Sequence, residues 1–164
     1  MAEPTKQLDI PPRGTRGAWT PWPLLVRLFR PLMRGQLSRY RKATGPTQPV
    51  MMGMPTVLLT TIGSRTGTEH TNVLGGFQDG DDAWIVVASN SGASTHPHWF
   101  INMAKNPDQV WLEVGNRKLK VQPMLLKGPQ REAAFAKVVA TSPRYGGYRK
   151  KTDREIPIVR LKAA

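Results

Sequence analysis

The 164-residue chain has no cysteine. Disulfides, thiolate metal sites and cysteine nucleophiles are therefore excluded. Acidic residues are scarce: 11 Asp and Glu stand against 24 Lys and Arg, a formal net charge of +13. That balance favours an anionic partner, such as nucleic acid, an acidic membrane surface, or a phosphorylated or polycarboxylate cofactor. No apolar run approaches the ~18 residues that span a bilayer. The start, MAEPTKQLDIPPRG, has no apolar core of signal-peptide length. A cytosolic protein, at most peripheral to a membrane, is expected. Histidine is confined to His70, His96 and His98. A His-Pro-His pair with no acidic or Cys ligand beside it is a poor metal site, so no metal is expected. There is no phosphate-loop signature and no suggestive Ser/His/Asp spacing. Redox chemistry by a bound organic cofactor remains open, because there the cofactor carries the reactive atom.

What is present centres on Val57 to Phe77, VLLTTIGSRTGTEHTNVLGGF. An apolar run, Val57 to Ile62, stops at Gly63. The polar turn Gly63-Ser64-Arg65-Thr66-Gly67 follows, and a second extended segment leaves it. Two strand-like runs joined by a Gly-bounded loop read as a hairpin. Glycines let backbone N–H groups turn outward, and Arg65 adds a fixed positive charge. Such a concave turn suits a phosphate or carboxylate. Turn chemistry alone also explains both glycines, with Arg65 merely solvated.

Residues 1–18 are rich in Pro, Gly and charge and are expected to form a mobile head. From Pro21-Trp22-Pro23 to Lys42, apolar Leu25, Leu28, Phe29, Leu32 and Met33 recur at helical spacing, opposite Arg27, Arg30, Arg34, Arg41 and Lys42. Pro31 should kink or split this helix. With Trp22 near its start, it suits an anionic membrane surface; equally, it suits a cap over its own core with a solvated basic face. Residues 43–55 read as a Gly/Pro linker with a Met cluster. Further on, Ala83 to Ser89 is apolar on both faces and should be a central strand. A helix should begin at Thr95-His96-Pro97 and end at Asn106-Pro107. A hairpin turning at Gly115-Asn116, a helix from Pro129 to Ala140 and a closing strand at 156–161 complete the chain. Strands and helices do not alternate regularly, which argues against a doubly wound parallel sheet. An α+β, mostly antiparallel barrel with helices filling its gaps fits best.

Three stretches carry a resemblance: LLTTIGSRTGTEHTNVL, VVASNSGASTHPHWFINMAKNP and PRYGGYRKKTDREIPIVRL. The chain resembles the deazaflavin-dependent nitroreductase family over roughly residues 56–162. Those are oxidoreductases of the split β-barrel fold, FMN-binding-like in architecture, known from actinobacteria, that use coenzyme F420. The Ser89-to-Trp99 stretch and TDREIPIV are its most specific parts. The chain is expected to divide into a mobile head (1–18), a basic amphipathic helix and linker (19–55) and, as the resemblance implies, a split-barrel cofactor domain (56–164). It implies hydride transfer from reduced F420 to an electron-poor acceptor: a quinone, an activated alkene or a nitro compound. It places Ser64, Arg65, Thr66, Gly67 and His70 at the cofactor's phosphate end. Asn72, Val73, Leu74, Val87, Ala88, Ser89 and Asn90 would line the deazaflavin, and His98, Trp99 and Asn102 would lie near it. Tyr145 and Tyr148 would border the substrate as proton donors, with Ser89 orienting the ring. Each of these also has an ordinary structural reading; Trp99, for example, suits a core position, and Asn102 suits a hydrogen bond to local backbone.

The chain departs from the family pattern. His70 and Asn90 stand where relatives often carry Arg or Lys, which removes permanent cations worth about 1.5–3 kcal/mol each if hydrogen-bonded. Gly75 and Gly76 stand where relatives often carry aromatics, which implies a roomier pocket. The lost cations mildly favour a flavin mononucleotide-binding relative. A non-catalytic binder of an apolar ligand or of nucleic acid is a further alternative, although no nucleic-acid motif is present. Monomer and homodimer both remain open.

Overall fold

The computed structural model describes residues 6–19, 24–43 and 45–164, and the side chains of Leu24–Val26 are not described. Residues 1–5 of the expected head and the Pro21–Pro23 helix start, with Trp22, lie outside the described residues.

Helix α1 (Leu24–Lys42) runs through Pro31 as one helix. Strands β1 (Val50–Met51) and β2 (Met54–Ile62) follow, so the expected linker already contains sheet. Then come β3 (Glu69–Gly75), β4 (Phe77–Gln78), β5 (Ala83–Val87), a 3₁₀ turn at Asn90–Gly92, α2 (His98–Lys105), β6 (Val110–Val114) and β7 (Arg117–Leu125). Helices α3 (Gly128–Thr141) and α4 (Arg144–Lys151) and strand β8 (Ile158–Ala163) close the chain. The eight strands form one curled antiparallel sheet, ordered β1-β2-β6-β7-β8-β5-β4, with β3 paired to β2. The expected antiparallel barrel is therefore the fold.

Strand alternation explains where the core sits. On β5, Trp84 and Val86 point inside the curl with Val57, Leu59, Leu112 and Leu161, and α2 plugs that interior with Phe100 and Met103. Ile85 and Val87 point the other way and pack with Phe135 and Val138 of α3 and Tyr145 of α4. A strand buried on both faces must be apolar throughout, as 83–87 is. At the C-terminal end of α1, Tyr40 is fully buried. Its hydroxyl faces the carbonyls of Thr56 (3.1 Å) and Glu113 (3.0 Å) and accepts from the Gly115 amide at 3.0 Å. That pins one end of the helix to the sheet. Closer to its start, Leu28 and Leu32 are 76 % and 60 % exposed, so among the described side chains the helix covers the core at Tyr40 and not at these two.

Residues 6–18 differ from the expected mobile head. They carry no helix or strand, yet they are tied down. The Leu8, Gly14 and Ala18 amides donate to the carbonyls of Ala104, Ser94 and Gly92, and Asp153 accepts from the Thr15 and Arg16 amides at 2.9 Å. Gly17 is required here, because a Cβ would sit 2.2 Å from the Ser94 nitrogen. A Pro/Gly-rich composition signals the absence of regular structure, which is not the same as the absence of docking.

Candidate functional site

The first part of the site is the β2–β3 hairpin tip. The Gly63 amide donates to the Thr68 carbonyl and the Gly67 amide to the Gly63 carbonyl, closing the turn. Gly67 adopts φ +69° with open space around it. Gly63 matters for a different reason: Thr66 and His70 crowd its Cα, within 2.8 and 3.1 Å of where a Cβ would stand. The Thr66 and Thr68 hydroxyls are 2.8 Å apart, and the Thr68 hydroxyl lies 3.2 Å from His70 Nε2. Helix α2 braces the tip: Asn102 Oδ1 accepts the Ser64 amide at 3.0 Å, and Asn106 Nδ2 donates to the Ile62 carbonyl at 3.2 Å. Asn102 therefore meets Ser64, as expected of site neighbours, but it meets it as a support. Arg65 is exposed and has no hydrogen-bond or ion-pair partner among the described residues. The tip thus offers a cation, two hydroxyls and an imidazole on a fixed turn, a donor set suited to phosphate or carboxylate oxygens.

The second part is the turn after β5. Asn90, Ser91 and Gly92 take φ of 44°, 54° and 83° in succession. Left-handed backbone at two non-glycine residues is costly and persists only where the surroundings over-determine it. Here they do. Asn90 Nδ2 donates to the Thr95 carbonyl at 3.0 Å. Arg154, 5 % exposed, donates through Nε to the Ala93 carbonyl, through Nη1 to Ala88, and through Nη2 to Ser89, at 2.9–3.1 Å. Nη1 also lies 3.0 Å from His96 Nδ1, while His96 Nε2 lies 2.7 Å from the Pro11 carbonyl. A carbonyl only accepts and a guanidinium only donates, so the ring is neutral, protonated at Nε2. Burial chiefly, and the Arg154 charge with it, hold its pKa below the ordinary 6.5. Arg154 has no carboxylate; three carbonyls and one imidazole satisfy it. Burial lowers its pKa too, but a guanidinium stays charged.

The remaining predicted residues are distributed around these two parts. Leu74, Ala88 and Trp99 share the barrel core, Trp99 at 7 % exposure against Phe100. Asn72 and Val73 are half-buried on β3, and Val87 belongs to the outer core cluster. Ser89 is buried, and its carbonyl serves Arg154. His98 begins α2 and is exposed. Helix α2 has Pro97 as its N-cap, one or two residues after the expected Thr95 or His96. The turn that holds Asn90 meets α4: a Cβ on Gly92, two residues on, would lie 3.0 Å from the Tyr148 carbonyl. Tyr145 and Tyr148 pack edge-on, 5.5 Å between ring centres. Burial, with Tyr148 beside it, raises the Tyr145 pKa to about 12.

One expectation is overturned. Gly75 and Gly76 leave no extra room: the Tyr145 hydroxyl stands 2.5 Å from where a Gly75 Cβ would be, and Val57 methyls 2.5 Å from that of Gly76. The space of the missing side chains is filled by the chain's own residues. Sequence reasoning also missed Arg154 and His96 as the builders of the turn, though Arg154 lies inside the TDREIPIV stretch. Its neighbours Asp153 and Glu155 make it read as one more charge of a polar segment, so no local signal set it apart.

A curled antiparallel sheet with an anion-suited hairpin tip and a turn facing α4 is the split-barrel architecture. Comparison supplies the family: the F420H(2)-dependent quinone reductase family model matches residues 32–163, and the chain belongs to that family. It is similar to an F420H(2)-dependent quinone reductase of Mycobacterium tuberculosis, 34 % identical over 140 residues, spanning 84 % of this chain and 89 % of that protein. Among solved structures it is similar to the F420-H2 dependent reductase FDR-A, 30 % identical, TM-score 0.61, covering 70 % of this chain and 99 % of that one. It is also similar to a domain-swapped dimer, 30 % identical, TM-score 0.63, covering 81 % and 98 %. The haem storage protein HutZ of Vibrio cholerae, 13 % identical with TM-score 0.50 over 80 % of this chain and 90 % of that one, shares the fold alone. The chain is thus an F420-dependent reductase. The hairpin-tip donor set fits the cofactor's acidic tail despite His70.

Proposed function

We propose that this protein reduces a quinone with reduced F420 as donor. Reduced F420 supplies the hydride. Ser64, Arg65, Thr66, Gly67 and His70 hold the acidic tail, with Asn102 fixing the Ser64 end of the loop. The β3 residues Asn72, Val73 and Leu74 and the turn residues Val87 to Asn90 flank the ring; His98 and Trp99 lie alongside. Fixed geometry of this kind supplies much of the rate in a transfer between two bound partners. The observation that carries the reading is the hairpin tip: an exposed, unpaired Arg65 and clustered hydroxyls on a braced turn.

For the proton that the reduced quinone takes up, we assign Tyr148, which is half-buried where Tyr145 is buried. Tyr145 is buried with a pKa near 12, so its hydroxyl serves better to hydrogen-bond an acceptor oxygen than to ionise. Helix α1, with exposed apolar residues beside Arg27, Arg30 and Arg34, suits contact with an anionic membrane surface, where lipid-soluble quinones reside; no helix of the described residues is long and apolar enough to cross one. A solved relative is a domain-swapped dimer, and sedimentation decides between monomer and dimer here. The test is anaerobic turnover of reduced F420 with quinone, activated-alkene and nitro acceptors. The quinone should have the highest kcat/KM. Tyr145→Phe should lower kcat with F420 affinity unchanged, whereas preference for another acceptor class rejects the quinone assignment.

A further inference from the structure

A cavity of about 350 Å³ lies between α1 and the β2–β3 sheet. Met51, Met52 and Met54 form one side, Thr56 and Val73 belong to the sheet behind, and Gln36 and Arg39 line it from α1, so methionines share the lining with polar groups. Thr56 is 1 % exposed and Met52 is 67 % exposed, so these mark the bottom and the rim. Methionine is flexible and polarizable, and it lines sites that must accept ligands of variable shape.

Two further observations give this cavity a direction. At its inner end, Met54 separates it from Tyr145. Tyr145 is 7 % exposed, its hydroxyl's hydrogen-bonding neighbour among the described residues is Met54 Sδ at 3.7 Å, and it reaches that place because Gly75 has no side chain. A thioether is a weak acceptor, so a buried hydroxyl is left short of an oxygen partner. At its outer end, Gln36 stands three and four residues after Met33 and Leu32, and Leu32 three after Phe29, so these share one helix face. Phe29, Leu32 and Met33 are 47 %, 60 % and 50 % exposed. An apolar stripe therefore leads along α1 to a methionine-lined cavity, and Met54 alone stands between that cavity and an under-satisfied hydroxyl.

From this we infer that the cavity binds the alkyl or isoprenoid side chain of the quinone acceptor, threaded along α1. This rests on the quinone reading and adds where the chain of that substrate goes. A chain longer than the cavity continues over Met33, Leu32 and Phe29 instead of into water. A ring without a side chain has no use for the cavity.

The test uses a benzoquinone carrying a decyl chain and the same ring without it. In the whole protein labelled at methionine methyls, the decyl quinone should shift the NMR signals of Met51, Met52 and Met54, assigned by single Met→Leu changes, and leave buried Met103 and exposed Met124 in place. With reduced F420 as donor, the chain should raise kcat/KM about tenfold or more, the scale at which apolar pockets discriminate. Gln36→Trp, which fills the cavity from α1, should remove that advantage while F420 affinity and turnover of the chainless quinone stay unchanged. If that variant does not fold, Met52→Ser at the exposed rim should lower the same ratio. Equal kcat/KM for the two quinones with silent methionines overturns the inference and leaves the quinone reading standing. Methionine shifts without turnover of either quinone support the cavity and reject the quinone reading.

Discussion

On α2, Trp99, Phe100, Met103 and Ala104 are all at most 7 % exposed, inside the sheet's curl. On α1, Leu28, Phe29, Leu32 and Met33 are 47–76 % exposed, and the helix is held chiefly at Tyr40 and by the Arg41–Glu113 pair. Both helices are amphipathic. One spends its apolar face on the protein's own core, and the other presents it outward, above a methionine-lined cavity. The difference teaches that an apolar stripe on a helix identifies a surface to be covered, without identifying what covers it.

Substitution on the two faces separates them most sharply. Phe100→Ala should cost about 3–5 kcal/mol of folding stability, the range for emptying a packed aromatic site, measured by denaturant unfolding. Leu32→Ala should change stability by no more than about 0.5 kcal/mol, as for an exposed position, yet it should reduce capture of the protein by anionic vesicles. A comparable stability loss at both sites would mean that α1 is packed in solution against something else, such as a second copy.

The comparison extends to the two polar parts of the site, of which the post-β5 turn is the more tightly built. Arg154→Met leaves the Ala88, Ser89 and Ala93 carbonyls without their donor and should cost about 3 kcal/mol or more, with each buried unsatisfied group worth at least about 1 kcal/mol. F420 affinity should fall with it, and Arg154→Lys should restore part of both. His96 gives the same network a pH response. Its pKa is lowered on folding, so its contribution is complete above pH 6.5 and is lost as the pH falls below that value. Melting temperatures should decline with acid in that window, and His96→Asn should flatten the slope; an unchanged slope removes the neutral His96 clasp from the account.

Much of the sheet was legible because periodicity fixed it: the doubly apolar run 83–87, the alternation of Val110, Leu112 and Val114, and the Gly115-Asn116 turn all fold as they read. The hairpin tip was legible too, since glycines bounding Ser-Arg-Thr have few other uses. What did not show was long-range. The docking of residues 6–18 depends on Asp153 and Ser94, more than 75 residues away. The Arg154 clasp depends on carbonyls, which no side-chain pattern reveals. The filling of the Gly75 space depends on Tyr145, 70 positions downstream in the sequence. Local pattern gives elements and turn chemistry, and tertiary closure decides which side chain occupies which gap.

The central claim is that the β2–β3 tip holds the cofactor's acidic tail. It is tested most directly by fluorescence titration of coenzyme F420 into the wild-type protein and into Arg65→Gln. The account predicts saturable binding to the wild type, weakened about tenfold in the variant, the lower end expected for one lost charge-assisted bond at an exposed site. Equal affinity in the two proteins, with both folded, would contradict it.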